Sequence, residues 1–203
     1  MTRKLFSFSK SLPIVLLVSL LGFSSCTTPS ETKQTILPEY ETDGFQSLRL
    51  DARILNIIEE WAMPMEPPYI EHTLSPNLSG MLVDWATRVL VPVGGSGEVV
   101  LNITQASVKM TALPRSERLV DLFNDKQEFM VRADIKAKLL WIQPVGGKQV
   151  IIDLSATASN TVKETATPNE RDLIIREVMI DTIELIDEQA VREITANKDL
   201  NRL

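Results

Sequence analysis

Apolar and polar residues alternate along two long stretches of the chain, and this alternation is typical of half-buried β-strands. The apolar positions of the first stretch are Val131, Ala133, Ile135, Ala137, Leu139 and Trp141. Those of the second stretch are Val150, Ile152, Leu154, Ala156 and Ala158. Residues 143–148 contain one proline and two glycines and predict a turn that joins the strands into a hairpin. A register with both apolar sets on one side places Ile142 opposite Gln149, and Lys138 opposite Asp153 on the outer side.

Two further alternating stretches predict the rest of the sheet. The first strand is expected over residues 48–54, where Leu48 and Leu50 alternate with charged residues and Ala52 and Ile54 continue the pattern. Residues 99–110 predict a longer strand. Its apolar phase shifts by one position between Ile103 and Ala106, and such a shift predicts a β-bulge.

Apolar residues three and four positions apart predict two amphipathic helices. The first is expected to begin with Ser75 as its N-cap and Pro76 in the first turn, and to end before Pro92. The second begins at residues 167–170, which form a capping box with proline at the first helical position. Residues 197–203 are expected to fray. The apolar face of the second helix consists of Ile175, Met179, Ile183, Ile186, Ala190 and Ile194, widened by Val178, Thr182 and Leu185.

The element order β-α-β-β-β-α predicts an α+β fold. Two amphipathic helices need an apolar surface, and one four-stranded, mainly antiparallel sheet can supply it on a single face. We therefore expect a two-layer sandwich with both helices on one face, and with the other face exposed or reserved for a partner. Residues 47–203 form this single domain. The polar residues 26–46 precede it as a flexible tether.

The amino-terminal 25 residues have the pattern of a secretory signal peptide. Three basic residues precede the apolar run 12–23, and small residues lead to Cys26, the only cysteine in the chain. The run is shorter than the roughly 20 apolar residues that a permanent membrane helix needs. Two alternatives remain open: cleavage by the general signal peptidase near Gly22 or Ser24, and an uncleaved anchor.

Charge excludes some classes of partner. Removal of residues 1–25 leaves 18 Lys and Arg residues against 27 Asp and Glu residues, a net charge of −9. Binding to nucleic acid needs a clustered basic face, so we expect no nucleic-acid partner. Nonspecific adhesion to anionic lipid headgroups is disfavoured for the same reason.

The sequence contains little that indicates catalysis, and we expect no enzyme activity, no cofactor and no metal. His72 is the only histidine, so a hydrolase would have to use Glu71 and His72 on a proline-rich loop. Residues 94–97 and 146–148 are turns, because neither leads from a strand into a helix as a phosphate loop does. An acidic group on the second helix is a candidate cation site, although a solvated helix face explains it better. That group comprises Glu177, Asp181, Glu184, Asp187 and Glu188.

Two segments are candidate partner-binding surfaces. One is a basic strip on the outer side of the third strand, formed by Arg132, Lys136 and Lys138. The other is a stiff, aromatic loop segment formed by Pro67, Pro68, Tyr69, Ile70, Glu71 and His72. The alternatives are an ordinary solvated sheet face and an ordinary surface loop.

Residues 22–26, Gly-Phe-Ser-Ser-Cys, resemble a bacterial lipoprotein box. The resemblance implies cleavage before Cys26 and a thioether-linked lipid, with palmitate, on that cysteine. Thr27 follows the cysteine and implies delivery to the outer membrane. The sequence departs from the usual box at Phe23, where leucine is common.

The domain itself resembles a family of lipoproteins from Gram-negative envelopes, for which no catalytic residues are known. The matching residues are Pro67 to His72, Ser75, Pro76, Trp85, Arg88 to Leu90, Gly97, Ala106 to Val108 and Asn169 to Arg171. The element order is also similar to the LPS-assembly (LptE-like) lipoprotein and to auxiliary lipoproteins of lipid-transporting ABC systems. These resemblances imply a lipid-anchored protein on the periplasmic face of the outer membrane, serving as an accessory or assembly subunit. The alternatives are a periplasmic carrier with a cavity between helices and sheet, and the small hydrolase described above.

Overall fold

Six β-strands and two α-helices occur in residues 44–114 and 127–201, the part of the chain that this computed structural model describes. The predicted signal peptide, Cys26 and most of the tether lie outside that part. The strands are β1 (Leu48–Leu50), β2 (Ile54–Glu59), β3 (Leu90–Pro92), β4 (Glu98–Ala112), β5 (Gln127–Gln143) and β6 (Lys148–Lys163). The helices are α1 (Leu78–Val89) and α2 (Pro168–Ala196).

The main sheet has the strand order β2-β4-β5-β6. β2 runs parallel to β4, and the remaining pairs are antiparallel. The predicted hairpin register is confirmed, because Ile142 faces Gln149 and Lys138 faces Asp153 across β5 and β6. The Lys138 ammonium lies 3.5 Å from the Asp153 carboxylate on the outer side of the sheet.

The predicted β-bulge is also present. The pairing of β4 with β5 shifts between Ile103 and Gln105, which leaves Thr104 as the extra residue of β4. Ile103 and Ala106 are therefore both buried on the same face, although they are three positions apart.

Both helices pack on one face of the sheet, called the inner face here, and this confirms the predicted α+β sandwich. The inward residues of β4, β5 and β6 are buried together with the apolar faces of α1 and α2. Trp85 of α1 is fully buried, and its indole nitrogen donates a hydrogen bond of 2.9 Å to Asp187 of α2. Leu185, which was expected to widen the buried face of α2, is 42% exposed.

The predicted first strand is two strands in different sheets. β1 pairs with β3 in a small parallel sheet, and the chain then crosses to β2. Gly97 makes this crossing possible, because a Cβ atom there would lie only 2.4 Å from the Asp51 carbonyl oxygen. The Trp141 indole donates a 2.8 Å hydrogen bond to the same oxygen. Ile54 consequently faces outward and is 43% exposed, contrary to the alternation that placed it with Leu50.

One of the two predicted helix starts is correct. Thr167 and Glu170 form the expected capping box at the start of α2. In α1, however, the N-cap is Asn77, whose side chain accepts a 2.8 Å hydrogen bond from the Gly80 amide. Asparagine and serine are comparable caps, so the sequence offered two starts and the prediction of Ser75 was wrong.

The predicted fraying after α2 is wrong for residues 197–201. Leu200 is fully buried, and its carbonyl accepts a 2.8 Å hydrogen bond from the Asp51 amide. Asn201 forms a bridge with Leu50 of β1. The described carboxyl end therefore extends the small sheet.

Candidate docking surface

The sheet face opposite the helices, called the outer face here, is open to solvent over much of its area. Because β-strand side chains alternate, its residues form rows that cross the strands. One row contains Asn56, Val100, Leu140 and Ile151, and the next contains Ile58, Asn102, Lys138 and Asp153. Rows beyond the bulge are polar or basic. The outer face therefore has an apolar end and a basic end.

The proline-rich loop lies along the edge of β4 at the basic end. The Ile70 amide donates to the Val108 carbonyl oxygen at 2.9 Å, and the Met110 amide donates to the Pro68 carbonyl oxygen at 2.9 Å. Glu71 is fully buried, and its Oε2 accepts a 3.2 Å hydrogen bond from the Val108 amide. The sequence predicted a stiff loop segment, and these bonds fix it against the edge of the sheet.

Tyr69 links this loop to the outer face. The Lys109 ammonium lies over the Tyr69 ring, 5.0 Å from its centroid, as in a cation–π contact. The Trp61 ring is tilted by 48° relative to the Tyr69 ring, and the two ring centroids are 6.3 Å apart. Lys109 also faces Arg132 across β4 and β5. The structure therefore joins the two surfaces that the sequence predicted separately.

Arg132 and Asp134 form the central ion pair of this end. The Arg132 guanidinium donates to Asp134 at 2.8 and 2.9 Å, and the Thr157 hydroxyl donates to Asp134 at 2.7 Å. Burial alone would raise the pKa of Asp134. The hydrogen bonds from Arg132 and Thr157, together with the positive charges of Arg132 and Lys109, outweigh burial and lower this pKa below its ordinary value. Asp134 therefore stays ionised and holds Arg132 in place.

We call Tyr69, Lys109, Arg132, Asp134 and Lys136 the basic cluster. Lys136 is exposed, and within the described ranges no carboxylate lies within ion-pairing distance of its ammonium group. Sequence reasoning missed Lys109, which stands in the outward phase of β4 only because of the bulge.

The remaining predicted residues lie around the basic cluster. Lys138 is half exposed and pairs with Asp153, while Pro67, Pro68 and His72 are exposed on the loop. Glu71 and His72 are adjacent in sequence but occupy different environments, because Glu71 is buried and His72 is exposed. The structure therefore does not bring these two side chains to one solvent-accessible point.

The apolar end of the outer face was not predicted. We call its side chains the aliphatic band: Ile54, Ile58, Val100, Leu140, Ile142 and Ile151. Ile54, Ile58, Ile142 and Ile151 are 40–53% exposed. The sequence does contain a sign of this band. Residues 139–142 and 150–152 are apolar at the outward positions of their strands as well as at the inward ones.

The two edges of the main sheet differ. On one side β2 is the edge strand and covers the first half of β4, and the proline-rich loop covers the second half. On the other side, the Gln189 side chain of α2 binds the outer backbone of β6: it accepts from the Ser155 amide at 2.8 Å and donates to the Asp153 carbonyl oxygen at 3.1 Å. Its amide takes the place of a neighbouring strand, which is one way in which proteins protect a sheet edge.

Other types of site are less well supported. Among the described residues, no group of three His, Cys, Asp or Glu side chains could hold a metal ion. Asp187, from the acidic group on α2, is instead partly buried beside Trp85; burial raises its pKa, and the indole hydrogen bond partly offsets that rise. None of the helices in the described ranges has the length and hydrophobicity that crossing a membrane requires.

One surface cavity of about 300 Å³ lies between residues 73–76 and the first half of α2. Leu74, Pro76, Ile175 and Met179 form much of its wall. This volume is at the lower limit of ordinary ligand pockets. A larger surface cavity of about 590 Å³ lies between the end of β6 and the first turns of α2, and its lining side chains are mostly polar: Asn160, Thr161, Lys163, Thr165, Glu170 and Ile174. The carrier hypothesis needs a cavity between the helices and the sheet. The first cavity lies elsewhere, and the second lies at one end of that interface.

No protein-family model and no curated protein matches this sequence. Among solved structures, the fold is similar to rare lipoprotein B from Shewanella oneidensis, with 13% identity and a TM-score of 0.39, over 70% of this chain and 97% of that one. It is also similar to a minor lipoprotein from Acinetobacter baumannii, with 17% identity and a TM-score of 0.38, over 73% of this chain and 94% of that one. Likenesses of this size carry no conclusion about function.

Proposed function

We propose that this chain is a non-enzymatic lipoprotein, anchored through a lipid on Cys26 at the periplasmic face of the outer membrane. It acts there as an accessory or assembly subunit of an envelope biogenesis or lipid-transport complex. Support for the anchor comes from the order of basic, apolar and small residues that ends at the only cysteine. Support for the subunit role comes from the open outer face.

The observation that carries the subunit role is the union of the two predicted surfaces in the basic cluster. The chain as a whole has a net charge of −6, yet this end of the sheet presents Lys109, Arg132 and Lys136 against one carboxylate, Asp134. A local charge opposite to that of the molecule favours one orientation of approach by an acidic partner. Tyr69 adds an aromatic side chain, a residue type enriched at protein interfaces.

Purification from detergent-solubilised envelopes tests the subunit role. We expect a stoichiometric partner at low salt and less of it as salt increases, because exposed charges are screened. Lys136→Glu should reduce the recovered partner severalfold. Lys198→Glu makes the same charge change on an exposed residue after α2 and should leave recovery unchanged. Recovery of the protein alone at every salt concentration would contradict the proposal.

The identity of that partner also distinguishes the two complexes that the element order suggests. A translocon protein of the outer membrane would indicate LPS assembly, and a component of an ABC system would indicate lipid transport. A second control for Lys136→Glu is Asp134→Asn. This variant removes the carboxylate that holds Arg132 but adds no negative charge to the basic cluster.

Mass spectrometry of the mature protein tests the anchor. We expect the chain to begin at a lipidated Cys26. Cys26→Ser should lose the lipid and retain the signal peptide, because the cleavage that the lipoprotein box implies takes place at the modified cysteine. An unmodified thiol at Cys26 would rule out this anchor.

A further inference from the structure

The aliphatic band is the largest group of exposed apolar side chains in the described residues. Four of its members, Ile54, Ile58, Ile142 and Ile151, come from three strands, and Val100 and Leu140 fill the space between them. Val145, at the tip of the adjoining β5–β6 turn, is 72% exposed. Single exposed apolar residues are normal on a protein surface, but a group of this size on one end of a sheet face, interrupted only by Asn56 and Glu98, indicates a contact site.

A partner can reach this band only from above the sheet face. The inner face is covered by α1 and α2, and β2 pairs with the first half of β4. Gln189 occupies the middle of the β6 edge. An added strand would lie in the plane of the sheet beside β2 or β6, whereas the side chains of the band project from the outer face, so the band is suited to side-chain packing rather than to strand addition.

The charges beside the band determine which partner fits. Lys138 and Asp153 stand in the row that contains Ile58 and neutralise each other at 3.5 Å. In the next row of the outer face, Lys136 has no paired carboxylate among residues 44–114 and 127–201. At the other end of the band, Glu98 stands between Ile54 and Ile142 and forms an ion pair with Arg53. The apolar centre is therefore flanked on one side by unneutralised positive charge.

We propose that the aliphatic band is the centre of a docking surface for a protein segment whose apolar side chains are flanked by carboxylates. This inference rests on the proposed function and names the chemistry of the partner. The apolar side chains would pack on Ile142, Ile151 and Leu140, and the carboxylates would meet Lys136. An arrangement with an apolar centre and a charged rim is that of many protein interfaces.

A second copy of this chain is a poorer occupant. When two outer faces pack with their basic ends aligned, Lys109 and Lys136 of both copies approach each other, and in any arrangement the two chains carry the same net negative charge. Like charges across an interface oppose association. An anionic lipid surface is also a poorer occupant, because the acidic remainder of the molecule would be repelled from it.

Site-specific photocrosslinking of the full chain in its own cell envelope tests this proposal. A photoreactive phenylalanine derivative replaces one of three exposed residues: Ile151 in the band, Lys136 in the basic cluster or Glu193 on α2. Crosslinked peptides are then sequenced by mass spectrometry. We expect Ile151 to attach to one protein, through a peptide in which Asp or Glu flanks apolar residues. Its yield should exceed that at Glu193 by about tenfold.

A charge exchange makes the assignment specific. Lys136→Glu should lower the Ile151 crosslink yield by about tenfold, and replacing the partner carboxylate by lysine should restore it. An Ile151 adduct with phospholipid, or with a second copy of this chain, overturns the proposal. A crosslink at Lys136 with none above the Glu193 level at Ile151 also overturns it but leaves the proposed function standing. Absence of crosslinks at both positions contradicts both.

Discussion

The inner and outer faces of the same sheet have different tasks, and adjacent residues show the difference. Ile151 and Ile152 are neighbours on β6, yet Ile151 is 53% exposed and Ile152 is 7% exposed. The inner face is closed by two helices and holds the fold together. The outer face is apolar at one end and basic at the other without being needed for the core. Apolar side chains that the core does not use are available for a partner.

The largest expected change in stability distinguishes a side chain on the inner face from its neighbour on the outer face. Ile152→Ala should lower the free energy of unfolding by about 2–5 kcal/mol, because it leaves a cavity in the core. Ile151→Ala makes the same chemical change one residue away and should cost less than about 1 kcal/mol. Urea unfolding of both variants measures the difference. Equal losses would show that the outer face is part of the core.

The second-largest expected change in stability concerns the proline-rich loop, which pairs with the edge of β4. Glu71→Ala leaves the buried Val108 amide without its acceptor, which should cost about 1–3 kcal/mol. His72→Ala, on the exposed neighbouring residue, should stay within about 0.5 kcal/mol of the wild type. Thermal unfolding provides the comparison. A similar loss for both variants would mean that the loop is not held by Glu71.

Asp134 provides a pH-dependent test on the outer face. Asp134→Asn weakens the bonds to Arg132 and Thr157 and should cost about 1–2 kcal/mol at pH 7. Since the folded state lowers the pKa of Asp134, its contribution is present above the unfolded value of about 3.9 and is lost as the pH falls through the folded value. The difference between wild type and variant should therefore shrink below about pH 4. A constant difference from pH 7 to pH 3 would contradict the ionised pair.

The smallest expected change in stability concerns the edge between the two faces. Gln189→Ala removes two hydrogen bonds from the backbone of β6 and should cost about 1 kcal/mol. The freed Ser155 amide and Asp153 carbonyl can then pair with another chain, so sedimentation should show larger species as concentration rises. Glu193→Ala on the same helix is the matched control. If both variants sediment like the wild type, Gln189 does not protect the edge.

The hairpin, the bulge and the start of α2 could be predicted because each depends on residues close together in the sequence. The phase of apolar residues fixes a register, since a slip of one residue would turn every side chain to the wrong face. A capping box is likewise a local pattern. These features needed no knowledge of distant contacts.

The features that were missed depend on contacts between distant parts of the chain. Leu50 and Ile54 share an alternation, but Gly97 and Trp141 bend the chain between them into another sheet. The three-residue β3 was missed because so short a strand gives no period. Leu200 was expected to fray because its partner, Asp51, is 149 positions away.

The candidate surface was predicted in parts. Arg132, Lys136 and Tyr69 were identified from the sequence, but their proximity depends on how the loop pairs with β4. The aliphatic band was missed because apolar residues in the outward phase look like ordinary hydrophobic strand residues. These residues are uncovered because both helices lie on the other face of the sheet, and the sequence pattern alone does not show on which face the helices lie.

Thr104, the extra residue in β4, decides which side chains face the solvent beyond it. If β4 ran through Thr104 with regular alternation instead of bulging there, every residue of its second half would turn to the other face. Lys109 would then point toward α1 and α2, and Val108 would take its place beside Tyr69. A single bulged residue thus keeps the apolar side chains of both halves of β4 on the core side and leaves Lys109 on the outer face.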